Sequence, residues 1–577
     1  MGKIVAQQLL DYLVEAGVKR IYAVTGDSLN FLNDAVHKDD RIKWIHVRHE
    51  EVGAYAAAAE AELDGIACCA GSCGPGHVHL INGVYDAHRS HVPLIVIAST
   101  IDTVEMGMDY FQETNTYKLF DDCSCYNQLI TTPSQAPRVI QTAIQHAISL
   151  KGVAVIGLPG DICASEAVES NNAKKFFFTK PVITPNNHEL NLTAEAINNA
   201  KDITIFCGIG ATDASEEVKE LASRLQSPVG YSFRGKMGIQ FQNPYEVGMT
   251  GLLGQPAAYH SMHESDLILL LGTDFPYDKF IPKDCTIIQI DTNPSRLGRR
   301  CNVDIGLHGD VKESIRVLLP LIQQKEEDDF LKKHLQMHEK TQEHMLSFVE
   351  NMGENDAIQP EFVAHTIDRL AEINTIFTVD TGMTSVWGAR FINDTGQRQL
   401  LGSFNHGSMA NAMPMAIGAS LAYPNRQIIA MCGDGGLSML LGDLATIRQY
   451  NLPIKIIIFN NRSLGMVKLE MEVAGLENNE TEMINPDFAL IAQAMGFKGK
   501  NIHNPSEVES SLLEAFHYNG PYLLNIFTNP NALAMPPKVE WDQVKGMAQS
   551  MTKLMLGGKM DEVWNTIKAN YKHIKDL

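Results

Sequence analysis

Gln427-Ile428-Ile429-Ala430-Met431-Cys432-Gly433-Asp434-Gly435-Gly436 opens the stretch whose reading decides the fold. The apolar run Ile428 to Cys432 breaks at a glycine-rich turn, and Leu437 to Tyr450 is compatible with a helix. Pro453-Ile454-Lys455-Ile456-Ile457-Ile458-Phe459 then reads as a second strand that stops at Asn460-Asn461. Two short buried strands joined by one helix form a βαβ unit, which almost always crosses over right-handed into a parallel pair. That geometry predicts Asp434 and Asn461 at the carboxyl ends of neighbouring strands, where open α/β sheets place their ligands. The glycines let the backbone approach a phosphate, and the following helix offers free N–H groups and a positive dipole end. No Lys follows the glycines as it does in a P-loop. The spacing therefore predicts a diphosphate clamp: Mg2+ held by a carboxylate and an amide oxygen and completed by phosphate oxygens and water. A turn former at Asp434 and a strand-end cap at Asn461 are the plain alternatives, and the paired placement argues against both.

Working outward, the same rhythm recurs. Residues 1–165 alternate strand and helix patterns: Arg20-Ile21-Tyr22-Ala23-Val24 ends at Thr25-Gly26-Asp27-Ser28, and Trp44-Ile45-His46-Val47 is followed by Arg48-His49-Glu50-Glu51. Val52 to Leu63 is so rich in alanine that its helix can pack very closely on a neighbour. Ile66 to Ala70, Pro93 to Ala98 and Val153 to Leu158 complete the series. Residues 168–187 have the polar, proline-punctuated look of a linker. Beyond it Ile203 to Cys207, Leu267 to Leu271 and Thr286 to Ile290 each run into Gly or Asp, as in a nucleotide-binding sheet, although the full six-residue glycine fingerprint is absent. Residues 323–358 read as a charged, solvated connecting helix. Thr375 to Val379 then opens a third region containing the clamp. The fold class is α/β with three doubly wound parallel-sheet domains, spanning 1–180, 181–340 and 341–530, followed by a tail over 531–577. In that tail Val563, Ile567, Tyr571 and Ile574 share one helical stripe, as an interfacial membrane helix or a docking helix would.

Composition bounds the function classes. At 577 residues the chain is too long for one core. A net charge of −21 without a basic cluster excludes nucleic acid as the expected partner. Ten cysteines without a Cys-x-x-Cys pair read as reduced thiols. With no signal peptide at Met1-Gly2-Lys3-Ile4 and no apolar run near the roughly 20 residues of a membrane span, the expected location is intracellular. His77, His79, His88 and His91 lack suitably spaced acidic or thiolate partners and read as structural or pocket residues.

Together these residues resemble the thiamine-diphosphate enzymes of the pyruvate oxidase type, over nearly the whole chain. Gly433-Asp434-Gly435, followed 26 and 27 residues after Asp434 by Asn460-Asn461, matches that superfamily's signature. The quinone-linked, acetate-forming branch is the nearest likeness. Its pattern appears in Val24-Thr25-Gly26-Asp27-Ser28-Leu29-Asn30, Ala70-Gly71-Ser72-Cys73-Gly74-Pro75-Gly76 and Tyr110-Phe111-Gln112-Glu113-Thr114. It appears again in Gly402-Ser403-Phe404-Asn405-His406-Gly407-Ser408-Met409-Ala410-Asn411-Ala412-Met413-Pro414.

The resemblance implies an aminopyrimidine-binding domain, a central FAD domain and a diphosphate-binding domain. It also implies a thiamine site between subunits of a homo-oligomer, usually a tetramer. Glu50 would hydrogen-bond the aminopyrimidine ring nitrogen, the role a carboxyl in an apolar interface suits by sharing a proton with the ring. Asp434, Asn461 and a backbone carbonyl just after Asn461 would ligate Mg2+. Gly407, Ser408, Met409, Gly435 and Gly436 would contact thiamine diphosphate, with Met409 propping it in its bent form. Phe111 and Gln112 would line the substrate pocket and Glu470 would place an acid there. For FAD the matching positions are Arg234, Thr250, Gly251, Leu252, Leu253, Thr273, Asp274, Phe275, Pro276, Tyr277 and Asp291, with Arg234 on a phosphate and Asp291 at the adenosine end. The implied reaction takes pyruvate to acetate and CO2, with electrons passing through FAD to a membrane quinone. The enzyme would then be cytoplasmic and peripheral on the inner face of the cell membrane through its tail. A phosphate-using oxidase that forms acetyl phosphate and peroxide, an acetolactate synthase-like carboligase and an inactive scaffold are the rivals. One departure from the family is Met466, where relatives carry Phe near the flavin.

Overall fold

The computed structural model describes residues 2–168, 175–350, 353, 356–532 and 549–550. Its frame is three six-stranded sheets, each wholly parallel. The first holds β1 (Arg20–Ala23), β2 (Lys43–His46), β3 (Ala67–Gly71), β4 (Leu94–Thr100), β5 (Tyr126–Leu129) and β6 (Val153–Pro159) in the order β2-β1-β3-β4-β6-β5. The second holds β7 (Ile203–Cys207), β8 (Val229–Tyr231), β9 (Glu246–Met249), β10 (Leu267–Leu271), β11 (Thr286–Asp291) and β12 (Ile305–His308) in the order β12-β11-β10-β7-β8-β9. The third holds β13 (Ile376–Val379), β14 (Gln399–Gly402), β15 (Ile428–Gly433), β16 (Lys455–Asn460), β17 (Lys498–Ile502) and β18 (Tyr522–Phe527) in the order β14-β13-β15-β16-β18-β17. The three doubly wound parallel sheets are those the sequence implies.

The first and third sheets share one topology, although no sequence repeat relates them. Strand order reverses between β1 and β3 in the first sheet, β7 and β10 in the second, and β13 and β15 in the third. A ligand crevice forms outside the carboxyl ends of the strands at such a reversal. The central strands are continuous apolar runs because helices cover both faces; every residue of β3, β4, β6, β7, β10 and β13 is buried.

The alanine-rich helix Glu50–Asp64 packs against the helix Ala412–Ala422 of the third domain, which is almost as rich in small residues. The approach is so close that a Cβ on Gly418 would overlap the carbonyl of Ala56. Both helices occupy the same slot in their domains, between the second and third strands in sequence.

Two expected features differ. Leu437 to Tyr450 is not one helix but Asp434–Met439 and Leu444–Gln449, separated by a tight turn over Leu441–Asp443. The break serves Asp443, whose buried Oδ1 accepts from the backbone N–H of Arg48 (2.8 Å) and the hydroxyl of Thr446 (2.7 Å). The charged helix Asp329–Ser347 is not solvated all round: His334 is fully buried and donates to Glu264 (3.0 Å). The stripe of the tail at 563–574 lies outside the described residues. No helix of the described residues is long and apolar enough to cross a membrane.

Candidate active site

β15 and β16 are adjacent and parallel, with Gly433 opposite Phe459, so Asp434 and Asn461 emerge side by side, Asp434 on the strand that borders the reversal of the third sheet. Asp434 begins the helix Asp434–Met439 and is 3% exposed. Its Oδ2 accepts from the backbone N–H of Arg462 (2.8 Å) and from Asn485 Nδ2 (2.7 Å), leaving Oδ1 without a side-chain partner among the described residues. Burial holds its carboxyl above the usual range, which a cation would reverse. Asn461 Oδ1 accepts from Ser463 N–H (3.0 Å) and keeps its second lone pair. Of the carbonyls just after Asn461, that of Arg462 has one lone pair taken by Met483 N–H (2.8 Å), and that of Ser463 is the next along the chain. A carboxylate oxygen, an amide oxygen and a carbonyl are a hard-donor set that fits Mg2+.

Around this clamp the backbone is kept open. A side chain on Gly435 would press on Leu464, Met409 and Met483, and one on Gly436 would overlap Asp380. Asp380 ends β13 across the crevice, is fully buried, and has its carboxyl pushed up to about 7 by burial. Its Oδ1 accepts from Asn411 N–H (3.1 Å), while its buried Oδ2 has no hydrogen-bond partner among the described residues. Ser408 is fixed through Ser403, whose Oγ accepts from Ser408 N–H (2.9 Å) and donates to the buried Asp86 (2.7 Å). Gly407, with a φ of 77°, turns the chain into this loop.

Glu50 stands at the first turn of the alanine-rich helix, 7% exposed. Its Oε2 accepts from His79 Nδ1 (2.9 Å), and the His79 ring stacks on His49 with centroids 4.7 Å apart. Its Oε1 lies toward Gly76. Glu51 points elsewhere: Asn82 Nδ2 bridges Glu51 Oε1 (2.8 Å) and Ser408 Oγ (2.9 Å). Among the described residues no hydrogen bond or ion pair joins Glu50 to residues 407–409, 434–436 or 461.

Phe111 and Gln112 sit on the loop after β4. Gln112 takes a φ of 62° and packs directly on Gly74, where no side chain would fit, and its Oε1 accepts from Cys73 Sγ (3.3 Å). Phe111 is 77% exposed, together with Val104, Met108 and Tyr110. Glu470 lies exposed on the helix Gly465–Val473, away from Glu50 in sequence and fold. Met466 is half-buried and packs against the apolar core of the third domain.

The positions matched to FAD lie at or just beyond the carboxyl ends of β8, β9, β10 and β11 in the second sheet. Thr273 and Asp274 follow β10 and Gly208 follows β7, with the Gly210 N–H on the Gly272 carbonyl (3.0 Å). Thr250 Oγ1 is buried without a hydrogen-bond partner among the described residues, Gly251 (φ 107°) packs on Phe275, and Leu252 is exposed. Leu253 wedges against the third domain, and Phe275 makes an edge contact with Tyr277, next to Pro276. Asp274 pairs with Arg299 and Arg300, and Arg234 is 3.6 Å from Glu62 and donates to the Ser90 carbonyl (3.3 Å). Asp291 is buried, accepts from Asn293 N–H (2.8 Å), and is raised by burial. Arg296 contacts His91 (2.6 Å), whose imidazole is depressed to about 4 by burial and by Arg296, Arg234 and Arg299. This cluster of arginines fits a diphosphate. Sequence reasoning missed Arg296, Arg299, Asp380 and Asn485, none of which falls in a recognisable spacing.

Comparisons with family models and with individual proteins agree on the family. The N-terminal TPP binding domain of thiamine pyrophosphate enzymes matches residues 3–119, their central domain residues 190–318, and their C-terminal TPP binding domain residues 380–526. The chain is 34% identical to YdaP of Bacillus subtilis, described as a thiamine pyrophosphate-containing protein, over 96% of each chain. It is 32% identical to a pyruvate oxidase of Lactiplantibacillus plantarum over 82% of this chain and 78% of that one. It is 28% identical to an acetolactate synthase large subunit of Porphyra purpurea over 92% of each. With a TPP binding domain matched at each end of the chain and a relative alike over nearly its whole length, the chain belongs to the thiamine pyrophosphate enzymes.

Proposed function

We propose that the protein oxidises pyruvate to acetate and CO2 with thiamine diphosphate, passing two electrons through FAD to a membrane quinone. FAD binding is supported by the strand order β12-β11-β10-β7-β8-β9, the order of a dinucleotide-binding sheet, with Arg296 and Arg300 beyond the carboxyl end of β11; its redox use is supported by the likeness to a pyruvate oxidase over 82% of the chain. Bound thiamine diphosphate supplies the carbanion chemistry and FAD the two-electron sink. Asp434, Asn461 and the Ser463 carbonyl would hold Mg2+. Glu50 would hold a proton at the aminopyrimidine ring nitrogen, oriented by His79 on its other oxygen. Gln112, braced on Gly74, offers an amide donor to a developing oxyanion, and Phe111 an apolar wall that excludes water.

The site needs a second copy in this reading. Glu50 is bonded to His79 and, among the described residues, has no hydrogen bond or ion pair to the clamp of its own chain, and two apolar surfaces stay exposed. One is Val104, Met108 and Phe111 beside the Glu50 crevice; the other is Met439, Val467 and Ile484 beside the clamp. Joining the first surface of one copy to the second of another would bring Glu50 to a partner's clamp, and two such dimers make the expected tetramer. The stripe at 563–574 would bring the enzyme to the membrane that holds the quinone.

The acetolactate synthase likeness over most of the chain favours a second reading, carboligation of two pyruvates with FAD unused in redox. One assay separates these. Purified protein is given pyruvate with a quinone analogue, with oxygen and phosphate, or with no acceptor. Acetate formed only with quinone supports the proposal. Acetyl phosphate with peroxide, or acetolactate without acceptor, replaces it.

A further inference from the structure

The carboxyl edge of the third sheet carries an asparagine on each of three neighbouring strands: Asn460 on β16, Asn525 on β18 and Asn501 on β17. Their side chains are bonded in series. Asn501 Nδ2 donates to both oxygens of Asp487 (2.9 and 3.0 Å), and Asn525 Nδ2 donates to Asn501 Oδ1 (2.8 Å). Asn460 Nδ2 donates to Asn525 Oδ1 (2.9 Å), and Asn485 Nδ2 donates to Asn460 Oδ1 (3.0 Å). The second hydrogen of Asn485 goes to Asp434 Oδ2 (2.7 Å).

The direction of this ladder is forced. Only an NH2 can face the Asp487 carboxylate, which turns the Asn501 oxygen toward Asn525. The same constraint passes through Asn525 and Asn460, so Asn485 must present both of its hydrogens, one to Asn460 and one to Asp434. Asn460 and Asn525 are 1% and 0% exposed, so water cannot replace a rung without cost. Asp487 in turn caps the helix Phe488–Ala494 through Leu490 N–H (2.9 Å) and is fixed at the far edge of the sheet.

We propose that Asn485 is a positioning residue for the metal. It and the Arg462 N–H occupy Asp434 Oδ2, so that Asp434 offers Oδ1 alone to the cation, and the ladder holds Asn485 in that orientation. Mg2+ demands near-ideal octahedral geometry and is served by a carboxylate fixed in one-oxygen coordination. Partners that orient a metal ligand in this way are typically worth about 10–100-fold in metal affinity. The inference rests on reading Asp434 as the metal ligand of a thiamine-diphosphate site.

The test is Mg2+ titration of metal-free, full-length protein in the presence of thiamine diphosphate, by calorimetry, with urea unfolding of the same samples without metal. Asn485→Ala is expected to weaken Mg2+ about 10–100-fold. Asn485→Asp, which keeps the shape and replaces the donor by an oxygen facing Asp434, is expected to weaken it at least as much. Asn525→Ala cuts the buried ladder without touching Asp434; it is expected to lower the urea midpoint more than Asn485→Ala while weakening Mg2+ less. Unchanged Mg2+ affinity in Asn485→Ala overturns the proposal, and so does a loss that follows the urea midpoint across the three variants. Asp434→Ala separates the two levels: if it too binds Mg2+ normally, the site reading itself has failed.

Discussion

Glu50 has one oxygen on His79 and the other toward Gly76, so a change at this side chain can remove its acid–base capacity while leaving its place filled. Glu50→Gln is expected to lower turnover about 10²–10⁴-fold, the usual worth of a positioned acid or base. Retention of thiamine diphosphate and Mg2+, followed by calorimetry, should hold, because the clamp lies on the other domain. Normal turnover in this variant would remove Glu50 from the chemistry. The residues of the clamp were legible because a carboxylate after one strand and an amide after the next is a pattern within 28 consecutive positions, Asp434 to Asn461. His79, Asp380 and Asn485 were not. His79 reaches Glu50 across 29 positions and Asn485 reaches Asp434 across 51, and only the folded chain sets such pairs.

At the scale of elements, legibility followed burial. The buried strands β4, β6, β7, β10, β13, β15 and β16 announce themselves as apolar runs, whereas β5, β9, β12, β14 and β17 are sheet edges and β8, though buried, is only three residues long. β17, Lys-Gly-Lys-Asn-Ile, has only one buried residue, so periodicity carries almost no information there. β18 is the exception, an apolar strand whose signal the sequence does carry. The alanine run of the Glu50–Asp64 helix correctly foretold a close neighbour but not which one. Gly418→Ala tests that contact. A methyl group there meets the backbone carbonyl of Ala56, which cannot rotate away, so the helices must separate. A loss of about 1–3 kcal/mol in unfolding free energy is expected, the usual cost of overpacking. Chemical denaturation measures it, and an unchanged midpoint would mean that the helices part without cost.

For the molecule as a whole, the three domains are tied by buried polar contacts no composition reveals. Lys236 of the central domain is 2% exposed and donates to the carbonyl of Ala389 in the third (2.6 Å). Burial depresses its ammonium from the ordinary 10.5 to about 8. Between pH 8 and 10.5 the unfolded chain therefore binds the proton that the folded chain has released, and stability gained from this group rises with pH. Relative to Lys236→Met, the wild type is expected to gain at most about 1 kcal/mol per pH unit across that window. Thermal unfolding of both at pH 7.5, 9 and 10 measures the difference; parallel curves would mean that Lys236 keeps its proton.

The like-with-like packing of the Glu50–Asp64 and Ala412–Ala422 helices has a consequence for assembly. They belong to one chain, so the contact forms at an effective concentration set by the connecting polypeptide, whatever the dilution of the protein. A contact between copies has no such tether. In the proposed assembly the chain would therefore settle one of its two domain pairings at the moment of folding and leave the crevice of Glu50 and the crevice of Asp434 to be matched by mass action. On that proposal, specific activity is expected to fall on dilution while the unfolding midpoint of each chain does not move.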